Sequence, residues 1–176
     1  GIAPEDTHVL FATHSIPSTD AAKSGPADRG FGPGGAYEAQ HLAVAEVVMA
    51  AAAPVAESGP VTWDLVYQSR SGPPSMPWLE PDINDAMAEL AEAGTKAVII
   101  VPLGFVSDHM EVKWDLDTEA LETAAELGMF ATRVPTPGTH GAYVAGLIDL
   151  VMERVNGTPT ADRPALTELG PWYDVC

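Results

Sequence analysis

Four strand-loop-helix units in succession predict an α/β domain, an open parallel sheet flanked by helices. Three features of the chain carry that expectation. Short, largely apolar runs fall at 8–12, 61–67, 97–101 and 129–134. Each is followed by a loop and then a longer helical stretch: 37–53, 82–93, a segment ending at Leu127, and 141–155. Helix stops stand where they are needed, at Pro54, Gly94, Gly128 and Asn156-Gly157. The length of 176 residues suits one domain. Residues 1–157 are expected to form it, with 158–176 as an irregular C-terminal tail.

The elements follow in order. The first strand, 8–12, ends at Thr13-His14-Ser15-Ile16-Pro17, and Pro17 argues against a helix immediately after it, so His14 stands at a strand-to-loop junction. Residues 20–35 are rich in Gly, Pro, Ser and Ala, include Lys23 and Arg29, and show no periodicity. That length suits a lid or binding loop. Helix 37–53 offers Leu42, Val44, Val48 and Met49 to the core. The second strand, 61–67, runs into a proline-rich loop from Gln68 to Pro81, which either presents Arg70 and Trp78 on a stiff backbone or packs Trp78 as core. Asp82 caps the next helix.

After the third strand, 97–101, and Pro102 comes the stretch 104–119. On an α-helix Glu111, Asp115 and Glu119 share one face with about 6 Å of rise between neighbours, a carboxylate ridge at the strand end. Glu122 and Glu126 continue it as an ordinary wet face. Asp108 and Glu111 also have the spacing of a capping box.

Composition narrows the function. With 25 acids against 8 bases the net charge is −17, which disfavours nucleic acid as a partner and tolerates cations. No apolar run approaches a membrane span and the N-terminus lacks the pattern of a signal peptide, so the cytoplasm is expected. Cys176 is the one cysteine, which excludes an internal disulfide or an all-cysteine metal site.

In open parallel sheets ligands gather at the carboxyl ends of the strands. His14 follows the first strand, Ser69 and Arg70 the second, and residues 108–119 the third. His14 and Glu111 can offer a weak nitrogen and oxygen site for Fe(II), Co(II) or Zn(II). Equally, they can accept protons, the carboxylate with a raised pKa if its cleft is dry. No Gly-x-Gly-x-x-Gly, Walker A or Gly-x-Ser-x-Gly pattern follows any strand, which argues against nucleotide binding and serine hydrolysis.

Three ordered motifs carry a family resemblance. They are Thr13-His14-Ser15-Ile16-Pro17; Gln68-Ser69-Arg70-Ser71-Gly72-Pro73 with Pro77-Trp78-Leu79-Glu80-Pro81; and Gly104-Phe105-Val106-Ser107-Asp108-His109-Met110-Glu111 with Asp115-Leu116-Asp117. In these the chain resembles ferrochelatases, specifically their C-terminal domain. The resemblance implies a class II chelatase-like fold and insertion of ferrous iron, the metal substrate, into a porphyrin: coproporphyrin III in the actinobacterial type, with protoporphyrin IX as the second candidate. It also implies catalytic and metal roles for His14 and Glu111, an outer acidic path through Asp115 and Glu119, and a porphyrin cleft touching Ser15, Ser69 and Arg70. Tyr37 and Gln40 match a Tyr-x-x-Gln pattern of structural character.

The family's cleft lies between two domains, so the partners implied are an N-terminal chelatase domain or a second copy. Cys176 matches the first of three C-terminal ligands of a [2Fe-2S] cluster, whose other cysteines must lie outside this chain. Two other readings stand beside this one: a single-domain cobalt or sirohydrochlorin chelatase acting as a dimer, and a non-catalytic metal or haem carrier.

Overall fold

The computed structural model describes residues 1–26, 28–52 and 61–172. Four strands, β1 (Thr7–His14), β2 (Thr62–Gln68), β3 (Ala97–Val101) and β4 (Phe130–Arg133), form one sheet in the order β2-β1-β3-β4. Every pairing is parallel, as four successive units require. β1 occupies an interior position because its side chains are apolar on both faces. Val9 and Phe11 point to one side, among Ala45, Leu65 and Tyr67. Leu10 and Ala12 point to the other, among Val66, Met87, Val98, Ile100 and Leu116. The register sets His14 beside Gln68 and Phe11 beside Val101, so three strands finish along one edge.

Both helices before β2 differ from expectation. The single turn α1 (Ser18–Ala21) begins directly after Pro17, which serves as its N-cap. Proline excludes helix from the residue before it but fits a helix start, where its missing N–H would have had no helical partner. In α2 (Gly35–Ala52) the sheet-facing residues are Tyr37, Ala45 and Met49, whereas Leu42, Val44 and Val48 are exposed. A helix that is apolar all round gives its sequence no stripe by which to choose a face.

By contrast α3 (Ile83–Glu92) follows its amphipathic pattern, with Asp82 accepting the Asn84 N–H at 2.8 Å and Ile83, Ala86 and Met87 buried.

The third unit departs most. Residues Val112–Ala120 form a π-helix that continues as α4 (Leu121–Glu126). Val112, Leu116 and Ala120 are fully buried against the sheet. Their strict four-residue repeat is longer than the α-helical period, and a wider turn keeps all three on the core side. The α-helical rise expected between Glu111, Asp115 and Glu119 therefore does not apply.

α5 (Gly141–Val155) has the expected bounds but buries none of its residues. Val144, Leu147, Ile148 and Val151 on it are between 39% and 60% exposed. Beyond it the tail has one short turn, Thr160–Asp162, and returns to the 22–35 loop. There the Arg29 guanidinium lies over the rings of Phe31 and Trp172, at 5.3 and 5.5 Å, and donates to the Leu169 carbonyl at 2.9 Å.

Gly104 lets the loop after β3 close on the end of β1, its N–H reaching the Ala12 carbonyl at 3.3 Å. A Cβ here would run into the Thr13 side chain and stand 3.2 Å from His41 Nε2. Gly104→Ala is expected to destabilise the fold by about 1–3 kcal/mol, read from the midpoint of urea unfolding; an unchanged midpoint would contradict this packing.

Candidate active site

His14 is the last residue of β1. Its Nδ1–H donates to the Ser15 carbonyl, which can only accept, so in the neutral ring Nε2 keeps its lone pair. That nitrogen lies 3.9 Å from a carboxylate oxygen of Glu111. The pair expected from the sequence is thus brought together, but not in a dry cleft: the Glu111 side chain is 56% exposed and the imidazole about a third.

The backbone after His14 is gripped from one side. Ser15 N–H donates to the Gln68 carbonyl at 2.8 Å, and the Ser15 hydroxyl to the Leu79 carbonyl at 2.7 Å. Leu79 N–H returns to Ile16 at 3.0 Å, and Ser18 N–H to Pro77 at 3.0 Å. The proline-rich loop therefore zips along residues 15–18, with Trp78 bridged to Pro17 and partly buried as packing. Ser15 itself is buried and its hydrogen is committed to the backbone.

The acids of the ridge diverge. Asp115 accepts the Gln68 amide Nε2–H at 3.1 Å and the Ser69 hydroxyl. Gln68 is only 1% exposed, and Ser69 holds a left-handed φ of 62°. Glu119 is exposed and lines, with Asp115, Trp114, Arg70 and Asp82, a hollow of about 230 Å³. Arg70 is paired with Glu80 at 3.2 Å and also lines a second hollow, of about 360 Å³, together with Ser15. So Glu111 turns to His14, Asp115 to the end of β2, and Glu119 to the outer rim.

Asp108 is not a helix cap. It meets Arg133 at 3.0 and 3.3 Å and Lys113 at 3.6 Å. Arg133, with a side chain 8% exposed at the end of β4, also grips Asp117 through two nitrogens. This brace from sheet to π-helix was not anticipated, and the signal for it is a lone arginine closing a strand in a base-poor chain. A hydrogen bond from Thr136 lowers the Asp108 carboxyl pKa, and hydrogen bonding to Arg133 pulls that of Asp117 to about 2.

Also passed over by sequence reading are Val106, Met110 and Trp114, exposed apolar side chains in the same stretch of chain as Glu111. Among the described residues no group of three or more His, Cys, Asp or Glu is arranged to hold a metal, and His14 and Glu111 meet as a pair without a third such group. Cys176 lies outside the described residues, and with one cysteine in the chain the four ligands of a [2Fe-2S] cluster are not present. No helix among the described residues is long and apolar enough to cross a membrane.

The chain is thus an open parallel α/β sheet with an imidazole and a carboxylate facing each other at its carboxyl edge. The family model described as Ferrochelatase matches residues 2–155, and the chain belongs to that family. It is 69% identical over 173 residues to a coproporphyrin III ferrochelatase of Leifsonia xyli subsp. xyli, covering 96% of this chain and 43% of the relative. With the protein of that name from Tropheryma whipplei it shares 58% over 176 residues, covering 100% and 44%. The chain thus spans less than half the length of these curated relatives. Among solved structures a protein assigned to cobalamin (vitamin B12) biosynthesis from Marinobacter aquaeolei VT8 aligns at a TM-score of 0.48 and 16% identity, covering 86% of this chain and 99% of that one.

Because Asp117 titrates at about 2 in the fold, below its ordinary 3.8, its pairing adds stability that is full above about pH 4 and lost as the pH falls toward 2. Asp117→Asn is expected to flatten the loss of stability between pH 4 and 2, measured by denaturant midpoints across that range. A wild-type slope in the variant would remove Asp117 as its source.

Proposed function

We propose that this chain carries the metal-inserting edge of a ferrochelatase that places ferrous iron in coproporphyrin III, with protoporphyrin IX as the second substrate candidate. The observation that carries the reading is the His14 Nε2 lone pair facing the Glu111 carboxylate at 3.9 Å on the strand-end edge. Insertion exchanges Fe(II) for two pyrrole N–H protons, so the reaction needs groups that accept protons and a ligand that hands over the metal. An imidazole held by its Nδ1–H and a carboxylate supply both, and neither binds iron as tightly as thiolates would. Asp115, turned to Gln68 and Ser69, and Glu119 at the rim share a separate hollow, and there they are further carboxylates for cations or released protons. Val106, Met110 and Trp114 offer apolar surface to a flat macrocycle, with Ser15, Ser69 and Arg70 along the cleft wall. The names of the relatives support the choice of coproporphyrin III. The cytoplasm is the compartment we propose, on the sequence alone.

Fe(II) and coproporphyrin III mixed without oxygen test the reading by porphyrin absorbance. In the longest natural form of the protein His14→Ala and Glu111→Ala should each cut turnover by about 100-fold or more, with little change in melting temperature because both side chains reach solvent. Asp115→Asn or Glu119→Gln alone should cost less. A Glu111→Ala protein that binds porphyrin and iron with undiminished turnover would favour the carrier instead.

We also propose that the remaining length of the relatives forms a second domain that completes the cleft and covers α5. The uncovered apolar side chains of α5 and the 43–44% share of the relatives' length support this. Val151→Lys should then lower the melting temperature of the longer protein by roughly 3 °C or more, and leave that of this 176-residue chain unchanged. Equal effects in both would sink the proposal, and a chain that dimerises through α5 would assign the face to a second copy.

A further inference from the structure

The hydrogen bonds of the proline-rich loop hold the chain after His14 from one side, and a separate polar cluster meets the same residue from the other. Tyr37, in the first turn of α2, donates its hydroxyl to the His14 carbonyl at 2.7 Å. Thr13 Oγ1, one residue earlier on β1 and almost fully buried, lies 3.1 Å from that hydroxyl and 3.0 Å from His41 Nε2. His41 is one turn further along α2, and its Nδ1–H donates to the Tyr37 carbonyl at 2.7 Å. A carbonyl only accepts, so the His41 hydrogen sits on Nδ1 and Nε2 receives the Thr13 hydroxyl. Burial lowers the pKa of His41, in keeping with a neutral ring, and raises that of Tyr37, in keeping with a protonated phenol. Gly104 closes the cluster from the loop after β3, in a space that admits no Cβ beside Thr13 and His41.

We infer that Tyr37 is a positioning residue for His14: its hydroxyl bonds the His14 carbonyl, its ring is backed 4.6 Å away by His41, which Thr13 in turn bonds, and the contact fixes the His14 peptide so that Nε2 meets the Glu111 carboxylate. The physical argument is one of leverage. His14 is the last residue of its strand, and the peptide after it is held at two points, its N–H by the Gln68 carbonyl and its carbonyl by the Tyr37 hydroxyl. Turning that peptide would move the Ser15 carbonyl to which the imidazole Nδ1–H donates, and Tyr37 is the side chain that bonds the peptide. A shift of about 1 Å at a reacting group can cost about 100-fold in rate, and part of that is expected here because Ser15 remains bonded to Gln68 and Leu79. Tyr37 touches neither Glu111 nor the ridge, so substrate affinity has no direct dependence on it.

This inference rests on the proposed iron insertion, and one of its readouts does not. In the longest natural form of the protein, Tyr37→Phe should lower kcat about tenfold while the KM for coproporphyrin III stays within about twofold. Thr13→Val should do the same to a lesser degree, and Thr13→Ser, which keeps the hydroxyl, should restore wild-type turnover. Independently of turnover, the imidazole nitrogen signals of His14 in 15N NMR should change from one ordered ring in the wild type to averaged or doubled signals in Tyr37→Phe. Should Tyr37→Phe fail to fold, the Thr13 pair gives the same comparison. An unchanged kcat with an unchanged His14 signal overturns the inference, as does a loss confined to KM. Absence of iron insertion in the wild type, with the His14 signal still altered in the variant, would overturn the proposed reaction and leave Tyr37 as what orders the ring.

Discussion

Everything at the candidate site depends on the parallel register of β1 with its two neighbours. Hydrogen bonding sets His14 against Gln68, while Val101 of β3 stops level with Phe11, three residues short of His14. The loop after β3 has room to fold over the end of β1 and deliver Glu111 above it. A one-residue slip of β1 would exchange its two buried faces, driving Phe11 and Val9 into the space that packs Leu10 and Ala12. The unequal bulk of those two sets therefore protects the geometry of a polar pair that itself contributes little to stability.

Around that register the site is divided between two kinds of attachment. The chain after His14 is tied by backbone and hydroxyl hydrogen bonds to the proline-rich loop, an arrangement of local polar contacts. The helix bearing Glu111 is tied instead by packing of Val112, Leu116 and Ala120 and by the grip of Arg133 on Asp117 and Asp108. Its wider turn follows from the four-residue spacing of those apolar residues, so the direction in which each acid points is a by-product of core packing. That is why Glu111, Asp115 and Glu119, evenly spaced in sequence, end with three different surroundings.

Much of this architecture was legible beforehand. The strands were visible as short apolar runs, α3 as a helix with a capping Asp82, and the site edge as the place where His14, Ser69 and Glu111 had to fall. What stayed hidden had physical causes. The inward face of α2 could not be read because alanine and valine surround it on every side. The π-helix is a tertiary compromise between a repeat of four and a flat sheet, invisible to local propensity. Arg133 and Tyr37 are bonded to groups 16 to 25 and 23 residues away respectively, separations that no local pattern encodes.

Ser69 illustrates how such a site is kept. It is the one non-glycine residue with positive φ among the described residues, directly after the end of β2, and its hydroxyl reaches Asp115. Such a backbone costs a serine about 1 kcal/mol or more, and a glycine almost nothing. Glycine in its place would relax the loop and release the Asp115 carboxylate to choose its own partner. At this position the backbone alone favours glycine, whereas the bond to Asp115 requires the hydroxyl, and the two demands are met by different amino acids.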